Sequence, residues 1–299
     1  MTPILKRILL GGNYTGLLDT YSGGAAAWSL RKLRGVYGGA AINVRRSSDN
    51  ATLDIGFTSL GDLDTSALLA FCNGGSGYVT KWYDQSGNGL DRVQASTGAQ
   101  PIIVSSGSLV TLNGKVSVDF TGGAAYMTSG TTSSFNYLHN GTKSFISLVQ
   151  NANNLAERFI STGGNSSSNV GILMSSAVGT VLSVFVARGV VGQYNISSTS
   201  TGAVYTSGSQ FILGLNLDTG NATAANRLTL YINGGANIAN NSALDASTAS
   251  NANASTVLSA PPSSTPYTGK MQEMIFWNTD QTNFRTGILA NQKSYYGTY

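Results

Sequence analysis

The sequence predicts an all-β protein, an antiparallel two-sheet sandwich of the jelly-roll type with two or three short helices. Three observations predict it. Short runs of β-branched and aromatic residues recur along most of the chain. The gaps between them are rich in Gly, Ser, Thr and Asn, with 37 Gly among 299 residues. Asn113-Gly114 and Asn233-Gly234 mark tight hairpin turns. Many short strands at this spacing pack as two sheets. Residues 1–24 read as an N-terminal arm that could dock on a partner. Residues 25–299 read as one sandwich domain, because no linker or repeat divides them.

The elements follow in chain order. Ala25 to Tyr37 is a helical candidate, with Trp28, Leu30, Leu33 and Val36 apolar and Arg31, Lys32 and Arg34 solvated between them. Ala41–Arg45 and Thr52–Phe57 are strands about the turn Ser47–Asn50. Asp64 caps a short helix through Leu68, Leu69, Phe71 and Cys72, because its carboxylate can accept from the free first-turn amides. Tyr78–Tyr83 is a strong strand that runs into Asp84-Gln85-Ser86-Gly87-Asn88-Gly89, a dense group of turn formers. Further strands are expected at 102–104, 115–120, 144–150, 158–161, 171–174, 181–186, 210–217, 227–232 and 270–277. Residues 240–264, low in complexity, form an excursion loop. Asp280 to Tyr296 is a closing helix stopped by Gly297.

Composition excludes several chemistries. One Cys allows no internal disulfide and, with one His, no Cys/His zinc site. A Ser-His-Asp enzyme would hang on His139 alone, which sits in a turn and reads as solvated. Cys72 reads as a small buried apolar side chain. No cofactor or metal is implied; the Asp84–Asp91 loop lacks calcium-loop spacing. The net charge of +4 comes from scarce acids, not from a basic stripe, so nucleic acid is not an expected partner. No apolar run reaches the roughly 18 residues that span a bilayer. Lys6 and Arg7 break up the N-terminal apolar stretch, so no export signal is read.

Two stretches carry a recognisable pattern. Ala41-Ile-Asn-Val-Arg-Arg-Ser-Ser-Asp-Asn50, Phe71-Cys72 and Trp82-Tyr83-Asp84-Gln85-Ser86-Gly87-Asn88-Gly89 resemble the N-terminal half of the fungal arabinofuranosidase B catalytic domain. Gly269 to Gln281, with Arg285-Thr-Gly-Ile288 and Tyr295-Tyr-Gly297, is similar to the closing strand and helix of concanavalin A-like sandwiches, which are common in bacteriophage structural proteins. The resemblance implies an antiparallel sandwich, in agreement with the strand pattern.

It also raises the question of catalysis. A retaining glycosidase needs two carboxyl groups about 5–5.5 Å apart. The resembling family carries its catalytic Glu after a Gly-His-Met segment. The best match here, Val170-Gly171-Ile172-Leu173-Met174, holds no acid, and none occurs between Glu157 and Asp218. Asp84 and Glu273 each admit a structural reading, as acceptors for loop amides and for buried donors respectively. The sequence therefore leads to a non-enzymatic bacteriophage virion protein, a capsid decoration or tail component, located on the virion surface after assembly in the host cytoplasm. Expected partners are other virion proteins through the N-terminal arm, host surface glycans and a second copy of the chain; no membrane is expected. The alternatives are an arabinofuranosidase-like glycoside hydrolase and a carbohydrate-binding module. Trp82, Asp84, Asn88, Tyr194, Tyr205 and Tyr267 are the candidate sugar contacts, the tyrosines because they lie near polar loops. Tyr83, Asp84, Gln85, Ser86, Gly87, Asn88, Gly89 and Glu273 are the candidate structural motif.

Overall fold

A computed structural model describes residues 14–164, 168–189, 196–200, 202–237, 250–259 and 265–297. Tyr194 and most of the expected 240–264 loop lie outside them. The all-β expectation holds, with three short α-helices among the described residues: α1 (Leu17–Thr20), α2 (Thr65–Cys72) and α3 (Arg285–Tyr296).

One sheet is built around three long neighbours, β12 (Ser144–Asn151), β17 (Gln210–Leu217) and β21 (Lys270–Trp277). Beyond β17 come β18 (Leu228–Ile232) and β19 (Gly235–Asn237). Along the other edge of β21 lie β1 (Gly24–Ser29) and β10 (Val118–Asp119). The second sheet runs β3 (Thr52–Ile55), β2 (Ile42–Arg46), β4 (Gly77–Trp82), β5 (Arg92–Val93), β11 (Met127–Ser129) and β20 (Thr256–Leu258). It continues through β13 (Arg158–Ser161), β14 (Val170–Ala177), β15 (Val181–Arg188) and β16 (Ile196–Thr199). The short strand β6 (Ile102–Ser105) pairs with both β4 and β10, so the two sheets curl into one; β7 (Ser108–Leu109) lies on β6. A hairpin of β8 (Thr111–Leu112) and β9 (Lys115–Val116) closes on Asn113-Gly114, whose φ angles of 49° and 75° are those a two-residue primed turn requires.

The core alternates as a pleat dictates. Ile146 and Leu148 of β12 face the sandwich interior with Trp28, Trp82, Phe135 and Phe276. Phe145 and Val149 face outward, under Ile288 and Leu289 of α3 and Leu17 and Leu18 of α1. The first sheet is thus covered on both faces. Residues 14–24, the described part of the expected arm, pack on this same domain.

The helix expected over 25–37 is instead β1 and a loop. Ala26 and Trp28 enter the interior while Ala27 enters the outer cluster, a period of two. Two buried faces had erased the polar alternation that marks a strand. Arg31 is buried and not solvated, for a reason given below. The α2 cap is as expected: Asp64 accepts from the Ala67 amide at 2.9 Å. Cys72 is buried, and burial raises its thiol pKa.

Candidate functional site

The turn after β4 is built on Asp84. One carboxylate oxygen accepts from the Ala27 and Ser86 amides at 2.8 and 2.9 Å. The other accepts from the Ser86 hydroxyl at 2.7 Å and the Leu90 amide at 3.0 Å. Gln85 donates to the Ser29 and Arg31 carbonyls and accepts from the Leu33 amide. Asn88 donates to the Ala25 carbonyl at 2.9 Å. Edge β1 pairs with β21 on one side only, and these side chains supply the hydrogen bonds of the missing strand on the other. Gly87 and Gly89, at φ of 97° and 71°, hold the turn in the left-handed region. Asp84, Gln85 and Asn88 thus clamp the free edge of β1.

Where this clamp meets the start of β1 and the end of β21, a cleft of 530 Å³ opens. Its walls include Ser86, Asn88 and Leu90 of the motif, Arg34, Tyr137 and Asn278. Asn88 is exposed there, so of the expected sugar contacts it faces solvent at the cleft. Trp82 does not: it is fully buried in the interior. Asp84 is buried with both oxygens taken. Tyr205 and Tyr267, expected to be exposed, are 8% and 0% exposed. Tyr205 stacks on Phe211 and donates to the Asn153 carbonyl, and Tyr267 donates to the Asn151 and Lys270 carbonyls. Polar neighbours in sequence had suggested exposure; the hydroxyls in fact satisfy buried backbone.

Glu273 is fully buried. Arg31 grips it with two nitrogens at 2.7 and 2.9 Å. Ser29, Gln292 and Tyr296 also donate to it. Burial alone would raise its carboxyl pKa; the Arg31 charge and these bonds outweigh burial and hold it low. Both carboxylate oxygens of Glu273 are thus taken up by donors. His139, expected in solvent, is buried, with its Nε2 3.0 Å from the Ser250 carbonyl, because the 136–138 turn tucks it beneath the 250–252 segment.

Sequence reasoning missed two groups. Arg92 is fully buried beside Trp28, its guanidinium carbon 4.1 Å from the ring centroid. Its Nη2 lies 3.3 Å from the Met274 sulfur, and its Nε and Nη1 have no hydrogen-bond partner among the described residues. A lone Arg between polar turns gave no sign of this. The second is a pair of surface acids. Asp218 and Asp280 converge on the Lys143 ammonium, 3.7 and 3.8 Å away. Lys143 immediately precedes β12, Asp218 follows β17 and Asp280 follows β21, so the ends of three neighbouring strands bring the group together. The Thr282 hydroxyl and amide hold the Asp280 carboxyl below the usual range. No three His, Cys, Asp or Glu residues converge as a metal site among the described residues.

Comparison with known proteins adds the following. Residues 19–157 match the family described as alpha-L-arabinofuranosidase B, catalytic. Alpha-L-arabinofuranosidase B of Emericella nidulans is 38% identical, over 33% of this chain and 22% of that protein. The alpha-L-arabinofuranosidase of Hypocrea jecorina is 37% identical, over 33% and 23%. The chain thus spans under a quarter of the length of these curated relatives. Among solved structures, an arabinofuranosidase complexed with arabinofuranosyl-alpha-1,2-xylobiose superimposes with a TM-score of 0.56 at 14% identity, covering 92% of this chain and 63% of that one. An alpha-L-arabinofuranosidase soaked with a cyclic sulfate inhibitor gives 0.56 at 16% identity, with the same coverage. At such identities the likeness is one of fold.

These findings overturn the expectation of a non-enzymatic bacteriophage protein on the virion surface. The relatives are named as glycoside-cleaving enzymes, and nothing in the comparisons links the chain to a virion. The reasoning failed at two physical points. The absence of a catalytic acid was read from residues 158–217, but the family match stops at residue 157 and so aligns no position in that stretch. The polar, charge-poor composition was read as an external location, whereas a sandwich with this many turns demands Gly, Ser, Thr and Asn wherever it resides.

Proposed function

We propose that the chain is a glycoside hydrolase domain that acts on α-L-arabinofuranosyl groups. One observation carries this reading. The segment matching the arabinofuranosidase family contains the Asp84–Gly89 clamp, and that clamp forms one wall of a polar cleft at the end of the sandwich. The arabinofuranosidase-like fold over 92% of the chain supports it.

Hydrolysis needs two carboxyl groups, about 5–5.5 Å apart for retention or about 6.5–9.5 Å apart for inversion. Glu273 and Asp84 are committed to structure. Asp218 and Asp280, both within 3.8 Å of one ammonium, fall within reach of those separations. Asp280, held ionised by Thr282, suits the nucleophile or base, and Asp218 is the second carboxyl group of the pair.

The test is release of arabinose from an aryl α-L-arabinofuranoside and from branched arabinan by the purified chain. Turnover is expected, and Asp280→Asn or Asp218→Asn lowers kcat by about 100-fold or more, as loss of an acid–base group does. No release by a folded wild type overturns the proposed activity. Full turnover by both variants overturns the assignment of the pair.

A further inference from the structure

The cleft beside the Asp84–Gly89 clamp has an electrostatic bias that its neutral walls do not predict. Among the described residues its one charged lining side chain is Arg34. Arg34 gives Nη1 to the Ser86 carbonyl at 2.7 Å, and its Nε and Nη2 have no partner among the described residues. Tyr137 lines the same cleft, and its buried hydroxyl has no partner either. A buried hydroxyl without a partner is uncommon and marks a place where a ligand or water belongs. The Arg92 charge acts on Tyr137 from the interior. Asp84 is the carboxylate that acts on both Arg92 and Tyr137, and four donors already occupy its oxygens. No carboxylate is among the lining residues.

We infer that this cleft takes an acidic saccharide, with a uronate carboxylate seated on Arg34. The inference rests on the carbohydrate-active reading above and names its substrate class. A planar guanidinium with two free donors matches a carboxylate bidentately, and a charge-assisted pair is about twice as strong as a neutral hydrogen bond. A neutral sugar would leave that cation unmatched. The rest of the wall suits a polyol. Ser22, Ser86, Asn88, Ser134 and Asn278 offer donors and acceptors, and Tyr137 offers a ring flank. The volume falls in the range of about 300–1,000 Å³ typical of small-molecule sites.

Calorimetric titration of the full chain with digalacturonate and with the neutral galactobiose tests this. Digalacturonate is expected to bind at least ~10-fold more tightly, because one added charge-assisted pair is of the order that gives a tenfold change. The preference should shrink when salt rises to about 0.5 M, through screening. Arg34→Gln should abolish the preference. Because Arg34 also holds the Ser86 carbonyl, Arg34→Lys serves as the second variant: it keeps a cation but loses the fork, and should retain only part of the preference. Equal binding of the two disaccharides, absence of binding, or a preference that survives Arg34→Gln overturns the inference. Arabinofuranoside turnover is scored separately. Turnover with no preference for the acidic ligand sinks this inference and spares the hydrolase; acid-selective binding without turnover does the reverse.

Discussion

Arg31 and Arg92 are both buried in this sandwich, and their surroundings could hardly differ more. Arg31 lies between β1, β21 and α3, with both carboxylate oxygens of Glu273 on two of its nitrogens and Asn291 on the third. Its guanidinium also lies over Tyr295 at 4.7 Å and Tyr296 at 5.4 Å. Burial works against its charge, yet the Glu273 carboxylate wins and the pKa is raised. Arg92 lies between the sheets with an indole ring, a thioether and no carboxylate in contact. There burial prevails, and the guanidinium is pressed down to about 9. Desolvation is similar in the two places; the partner decides the outcome. One arginine ties three elements together, and the other is tolerated.

Breaking the Arg31 pair should have the largest effect on this comparison. Glu273→Gln removes the counter-charge and strands a buried cation, which typically costs about 3–5 kcal/mol. The melting temperature should fall steeply, and chemical denaturation should show a lower midpoint at unchanged slope. The pH dependence follows from the depressed carboxyl pKa. A carboxylate held below its ordinary value of about 4.3 contributes stability that is complete above that value. The contribution is lost as pH falls through the lower, folded-state value. Wild type should therefore lose this part of its stability on acidification below about pH 4, and the variant should lack that component. A variant as stable as wild type at pH 7 would mean that Arg31 finds another partner.

The Asp84 clamp comes next. Asp84→Ala deletes four accepted hydrogen bonds and leaves the Ala27 and Leu90 amides without their acceptor. Bonds to a charged group are worth about 1.5–3 kcal/mol each and do not add fully, so a loss of about 2–4 kcal/mol is expected. Hydrogen exchange should show β1 amides opening first. Uniform exchange across both sheets would show that the clamp does not guard this edge. Gly87→Val should cost less, about 1–2 kcal/mol from the left-handed backbone. A Cβ at Gly87 also meets the Arg34 Nη1 at 3.2 Å, whereas one at Gly89 meets nothing within 4 Å. Gly89→Ala should therefore be the milder of the two in thermal melts, and the reverse order would mean that the Arg34 contact does not matter.

These same residues show how much could be read from the sequence. The hairpin glycines, the Asp64 cap and the long strands were legible, because each depends on local geometry. The strand at 24–29 was not. Burial on both faces leaves no polar alternation, and Ala-Ala-Ala-Trp fits either period. Arg31 read as solvated because its partner is 242 residues away. Tyr205, Tyr267 and His139 read as exposed because exposure was judged from neighbours in sequence, whereas their covers come from distant segments. The Asp218–Asp280 pair was invisible for the same reason: Lys143 brings the acids together, and no spacing records it.

The smallest effect is expected at the other arginine, where it is also the most instructive. Arg92→Met replaces the guanidinium with an apolar chain that fits between Trp28 and Met274. The change removes the desolvation cost of a cation whose Nε and Nη1 have no partner among the described residues, and it forfeits a stacking contact worth up to about 2 kcal/mol when desolvated. Replacing a poorly compensated buried charge by a packed apolar group is often neutral or stabilising by about 1–4 kcal/mol. The two terms oppose each other, so the melting temperature should move little and, if anything, upward. Equilibrium denaturation of Arg92→Met beside Glu273→Gln measures the contrast directly. A large destabilisation by Arg92→Met would mean that Nε and Nη1 are satisfied by buried water, and that the interior between the sheets is wet at this point. The two arginines would then differ only in whether the partner is a carboxylate or a solvent molecule.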